Sequence, residues 1–147
     1  MSPQAGLIAD ASGNLYGTTV RGGDTTSCSG GCGTIFKVSP SGQESILYAF
    51  HDGGDGGYPE AALVMDGSGN LFGTTFGGGT KSGCKKSGYT GCGTVFEVSP
   101  QGVETVLYQF QRSQGGNPAA GLFPGKHGDF YGTTEYGGKI ITAWCSN

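Results

Sequence analysis

AGLIADASGNLYGTT, from Ala5 to Thr19, returns as AALVMDGSGNLFGTT from Ala61 to Thr75 and, altered, as AGLFPGKHGDFYGTT from Ala120 to Thr134. Each copy is an apolar run, a tight turn of Ser-Gly-Asn type, and a second run that passes through an aromatic and a glycine to two threonines. Short runs of this kind joined by such a turn form a β-hairpin. The chain therefore states one hairpin three times, and the segments between the copies repeat as well.

After the first hairpin come a Gly-rich loop with Cys28 and Cys32, then GTIFKVSP (Gly33 to Pro40), a Ser-Gly turn and ESILYAF (Glu44 to Phe50). The second copy is followed by a loop with Cys84 and Cys92, then GTVFEVSP (Gly93 to Pro100) and ETVLYQF (Glu104 to Phe110). β-Branched and aromatic residues make these short runs strands. Pro3, Pro59 and Pro118 mark a period of 56 and then 59 residues. Four short strands per period and no helical stretch predict an all-β fold of four-stranded antiparallel β-propeller blades. The blades span about residues 3–58 and 59–117, with a partial third over about 118–147, in one repeat domain. A β-solenoid or sandwich is the structural alternative.

Thirty-two glycines and six prolines make up about a quarter of the 147 residues, close to the composition of aperiodic low-complexity chains. Here the glycines recur at equivalent turns, where a positive φ suits glycine alone. A net charge of -3 leaves no basic footprint for nucleic acid, and Lys81, Lys85 and Lys86 read as one solvated loop. No apolar run is long enough for a membrane span. Met1-Ser2-Pro3 enters the first repeat without a signal peptide, so the chain is expected to stay where it is made or to be part of something longer. The third copy departs from the pattern: Gly125 replaces the turn Asp, His127 and Asp129 stand for Ser12 and Asn14, and Pro124 falls inside the first strand. Two and a half blades do not close a ring, which predicts a homo-oligomer or a fragment of a longer chain.

The pattern P-x-A-G-L-I-x-D-x-x-G-N-L-Y-G-T-T, then G-G, then G-T-[IV]-F-x-V-S-P-x-G, then a strand ending in Phe and a D-G-G loop, resembles the GloVer (Gloeobacter/Verrucomicrobia-type) tandem repeat. That resemblance implies a propeller in a secreted or surface-anchored bacterial protein. GLIADASGNLY is also similar to the opening hairpin of NHL-type blades and of calcium-dependent lactonase propellers.

Cys32 and Cys92 share a G-C-G-T setting. Two cysteines per equivalent loop, with only two histidines in the chain, argue for disulfides 28/32 and 84/92. The alternative, zinc on four thiolates, would have to accept unequal spacings of three and seven intervening residues. Disulfides would imply an extracytoplasmic setting. Cys145 is left over, free or available for an intermolecular bridge.

No nucleophile elbow, HExxH, P-loop or dinucleotide fingerprint is present. Hydrolysis would then rely on a metal-activated water, and oxygen ligands point to calcium or magnesium. Asp10, Ser12, Asn14 and Asp66, Ser68, Asn70 are spaced like the start of a calcium loop, but the glycine is misplaced and no bidentate Glu follows. They read first as turn residues. In HDGGDGGYPE (His51 to Glu60), Asp52, Asp55 and Glu60 are the candidate calcium ligands and His51 the catalytic base. This connection is expected beside the Cys-bearing loops, at the mouth of the propeller channel. The resulting expectation is a calcium-assisted hydrolase of a small ester or lactone, such as an acyl-homoserine lactone. The alternative is a non-catalytic repeat module for protein or glycan binding at the cell surface. In that module Tyr16, Phe72 and Tyr131 are core residues and Tyr58, Tyr89 or Trp144 supply binding aromatics.

Overall fold

The structure, a computed structural model, describes residues 2–79, 84–86 and 89–137. Trp144, Cys145 and Lys81 lie outside the described residues. Within them the fold is all-β: two four-stranded antiparallel sheets and two two-stranded ribbons.

The first sheet is a meander of β1 (Ile8–Ala9), β2 (Leu15–Thr19), β3 (Thr34–Val38) and β4 (Glu44–Ala49). The second repeats it with β5 (Val64–Met65), β6 (Leu71–Thr75), β9 (Thr94–Val98) and β10 (Glu104–Gln109). Between β6 and β9 a ribbon of β7 (Lys85–Lys86) and β8 (Tyr89–Thr90) is inserted. The third hairpin is β11 (Phe123–Pro124) and β12 (Phe130–Tyr131), joined through a 3-10 turn at Lys126–Gly128.

The registers match position for position. Thr19 pairs with Thr34 and Gly17 with Phe36 in the first sheet; Thr75 pairs with Thr94 and Gly73 with Phe96 in the second. Both outer pairs slip register at the same place, opposite Leu47 and Leu107. Such equivalent bulges are built-in features of the repeat. The repeat's glycines also have a steric reason, since a Cβ on Gly73 would lie 2.6 Å from Cζ of Phe96.

The turn reading of the Asp and Asn residues holds. Asp10 Oδ1 accepts from the backbone N–H groups of Ser12 and Asn14, and Oδ2 accepts from Asn14 Nδ2 and the Tyr16 hydroxyl. Asp66 repeats the arrangement with Ser68 and Asn70. Hydrogen bonding, led by the Asn14 side chain, holds the Asp10 carboxyl down at about 2, because each donor favours the charged form. Pro124 does sit in a ladder, opposite Phe130. It is tolerated because the first strand of each repeat is a two-residue edge, where a missing N–H costs little.

The core lies between the two large sheets. Phe50, at the end of the first, meets Phe96 of the second with ring centroids 5.2 Å apart, and both are fully buried. Ile35, Leu63, Leu71 and Phe76 join them. The threonine that ends each second strand pairs its hydroxyl with that of the third strand, Thr19 with Thr34 and Thr75 with Thr94, both at 2.8 Å. The Thr18 hydroxyl donates to the carbonyl of Ala61 in the next repeat, as Thr74 does to Ala120. Sheets packed by the same contacts at each step let one short sequence specify the whole arrangement.

Candidate functional site

The connection from His51 to Glu60 folds into a tight glycine turn. Asp52 N–H donates to the Gly56 carbonyl and Gly56 N–H to that of Gly53. Gly57 then exchanges two hydrogen bonds with Gly77, and Gly79 N–H donates to Gly53. Tyr58 N–H donates to the Cys32 carbonyl at 2.6 Å. These bonds bring the connection against the Cys-bearing loops of both repeats. The cysteines are paired as expected, with Cα–Cα distances of 5.3 Å for Cys28–Cys32 and 5.0 Å for Cys84–Cys92.

His51 is half exposed, with its Nδ1 3.0 Å from Asp55 Oδ2 and its Nε2 3.6 Å from Asp24 Oδ2. Asp55 is more than a neighbour of the ring. Its Oδ2 also accepts from the His51 backbone N–H and the Tyr48 hydroxyl, and its Oδ1 from Gly53 N–H. Asp52 turns elsewhere: its backbone is left-handed, with φ 57°, and its Oδ2 accepts from the Thr90 hydroxyl at 2.8 Å. Among the described residues, no group of three or more His, Cys, Asp or Glu side chains is placed to hold a metal ion. The geometry thus brings His51 and Asp55 together and directs the Asp52 carboxylate to the insertion ribbon.

Three participants were not legible in the sequence. Asp24 comes from the first Cys-bearing loop, and its own carboxylate is held down first by the Thr26 backbone N–H. Tyr48 is raised by burial and then by the charge of Asp55. Glu104, from the second sheet, is pushed up to about 7 by burial and then by Asp55. Tyr48 could have been found from its counterpart. In the second repeat the Tyr108 hydroxyl donates to Gln114 Oε1 at 2.8 Å, the same bridge from outer strand to connection with an amide in place of the carboxylate.

The expected binding aromatics sit differently. Tyr58 is buried, stacked edge-on against Tyr89 at 4.7 Å with the Arg21 guanidinium 5.7 Å from its ring centre. Tyr89 in turn packs on Phe76. Tyr58 and Tyr89 thus pack on each other where β8 of the insertion ribbon meets the connection. Of the expected core aromatics, Phe72 is buried and Tyr16 packs against the core, whereas Tyr131 is exposed.

No curated protein matches the chain. The pattern of the Gloeobacter/Verrucomicrobia repeat matches residues 1–142. With that match spanning nearly all of the sequence, and with the recurrent strands, turns and paired cysteines it encloses, the chain belongs to the Gloeobacter/Verrucomicrobia repeat family.

Proposed function

We propose that the chain is a non-catalytic β-propeller repeat module that presents its loop end to a protein or glycan at the cell surface. The observation that carries this reading is the exchange of Asp55 for Gln114 in one bridge: Tyr48 to Asp55, Tyr108 to Gln114. A position served equally by carboxylate and amide is holding a loop in place, since only the carboxylate is a strong calcium ligand. The propeller arrangement is supported by recurrence: Thr18 to Ala61 and Thr74 to Ala120 are one step taken twice. The two cysteine pairs at disulfide distance suit an extracytoplasmic setting. They pin the loops that such a surface would present.

The test pairs a glycan array with a panel of esters and lactones. Saturable glycan binding that is lost on reducing the disulfides, with the sheets intact by circular dichroism and no turnover on the panel, is the expected result. A calcium-assisted hydrolase is the second reading, favoured by His51, whose two ring nitrogens face Asp55 and Asp24. In it Asp52, Asp55 and Glu60 hold the ion and His51 moves protons. Lactone opening that a chelator stops and His51→Ala abolishes would replace the first reading by the second.

A further inference from the structure

The interface between the first two repeats shows what the next interface is built to receive. In the first, the Phe96 ring lies over Gly73, against Phe50 and beside Leu63, and all three large side chains are buried. The corresponding positions at the second interface are Gly132, Phe110 and Leu122. They line a cleft of about 160 Å³ together with Thr74, Val95 and Phe130. Phe110 and Leu122 are only half buried there. A cavity near 150 Å³ with apolar walls takes a benzene ring, so the cleft has the size and lining of the place Phe96 fills one repeat earlier.

The backbone and the threonine pairs point the same way. Thr134 is the counterpart of Thr19 and Thr75, whose hydroxyls are bonded to Thr34 and Thr94. In each complete repeat the partner threonine opens a Gly-Thr-(Ile/Val)-Phe strand, whose Phe sits opposite Gly17 or Gly73. Among the described residues β12 pairs on one edge only, with β11, and an unpaired edge accepts a strand.

We propose that this cleft is the acceptor site for a β-hairpin of the repeat's own Gly-Thr-(Ile/Val)-Phe type. The donor strand runs antiparallel to β12, its Thr on Thr134, its Phe opposite Gly132 with the ring against Phe110. The second donor strand then takes the position that β10 holds in the repeat before.

The probe is a synthetic peptide with the sequence from Gly93 to Phe110, titrated calorimetrically into the full chain. One-to-one binding is expected, at least tenfold weaker for a peptide with Phe96→Ala, and lost in a chain carrying Gly132→Leu, which fills the cleft from its own wall. Equal binding of both peptides would mean unspecific edge pairing and overturns the proposal, as does no binding at all. Binding only to a chain with Ile140→Asp and Ile141→Asp would assign the cleft to residues 138–147 and overturns it too.

Discussion

Replacing Glu104 by glutamine should stabilise the protein at and above neutral pH and leave it unchanged near pH 4. Glu104 opens β10 next to Asp55 and Tyr48, and its Oε1 is buried with no hydrogen-bond partner among the described residues. Burial first, and then the negative charge of Asp55, raise the carboxyl from 4.5 to about 7. The folded state thus favours the neutral acid more than the unfolded chain does. Its stabilising preference is complete below pH 4.5 and is lost as pH rises through 7. A displacement of that size corresponds to a gross ~3 kcal/mol, which solvent screening of a partly exposed side chain cuts to ~1–2 kcal/mol. Glutamine keeps the shape and cannot ionise. At pH 8 the variant should therefore be more stable by ~1–2 kcal/mol, raising Tm by about 3–6 °C in a chain of this size. Urea denaturation at pH 4.5, 6 and 8 measures the difference. Equal stability at pH 8, or a gap that widens on acidification, would refute the reasoning.

Phe96→Ala should cost about 3–5 kcal/mol by emptying the first interface. Phe36→Ala, at the same register position but only partly buried, should cost about half as much in the same denaturation experiment. The Asp10 carboxyl, held down at about 2, stabilises the first hairpin above its ordinary range and loses that effect only as pH falls toward 2. Its NMR resonances should titrate there, and a midpoint near 4 would remove the proposed hydrogen bonds. Gly33→Ala places a Cβ 2.5 Å from Cδ of Pro59 and from the Thr19 carbonyl oxygen at φ 102°. Thermal unfolding should show a loss above ~2 kcal/mol, while Gly42→Ala, at φ 82° in open space, should lose only about 1 kcal/mol.

The fold was legible wherever a residue's reason was local. Asp10, Gly13 and Asn14 make a turn from their own side chains and φ angles, and Thr34–Val38 and Thr94–Val98 carry β-branched and aromatic residues in a strand's proportions. Hence the strand order and the cysteine pairs could be read before any coordinates. The site was less legible because its partners come from across the interface. Glu44 and Glu104 open equivalent strands, yet Glu44 is exposed while Glu104 is half buried beside Asp55, so their sequence contexts are alike and their charge environments differ. Tyr58 read as a loop aromatic because the ribbon that packs on it is an insertion that the first repeat lacks.

What carries orientation from sheet to sheet is the residue before each repeat's proline. Tyr58 and Asn117 both adopt left-handed backbone, at φ 59° and 55°. Each sends its N–H back to the preceding repeat, to Cys32 or Cys92, and takes the N–H of Phe76 or Glu135 from the following one on its carbonyl. A residue that must aim its two peptide groups at two different sheets cannot be extended, and the proline that follows, lacking an N–H, adds no competing donor. Asparagine tolerates this conformation well and tyrosine poorly, so Tyr58 carries a strain that its burial against Tyr89 and Arg21 offsets. Each repeat is thereby set on the next by one fixed geometric step, with Asn117 also tying its side chain to the Phe76 carbonyl at 2.7 Å.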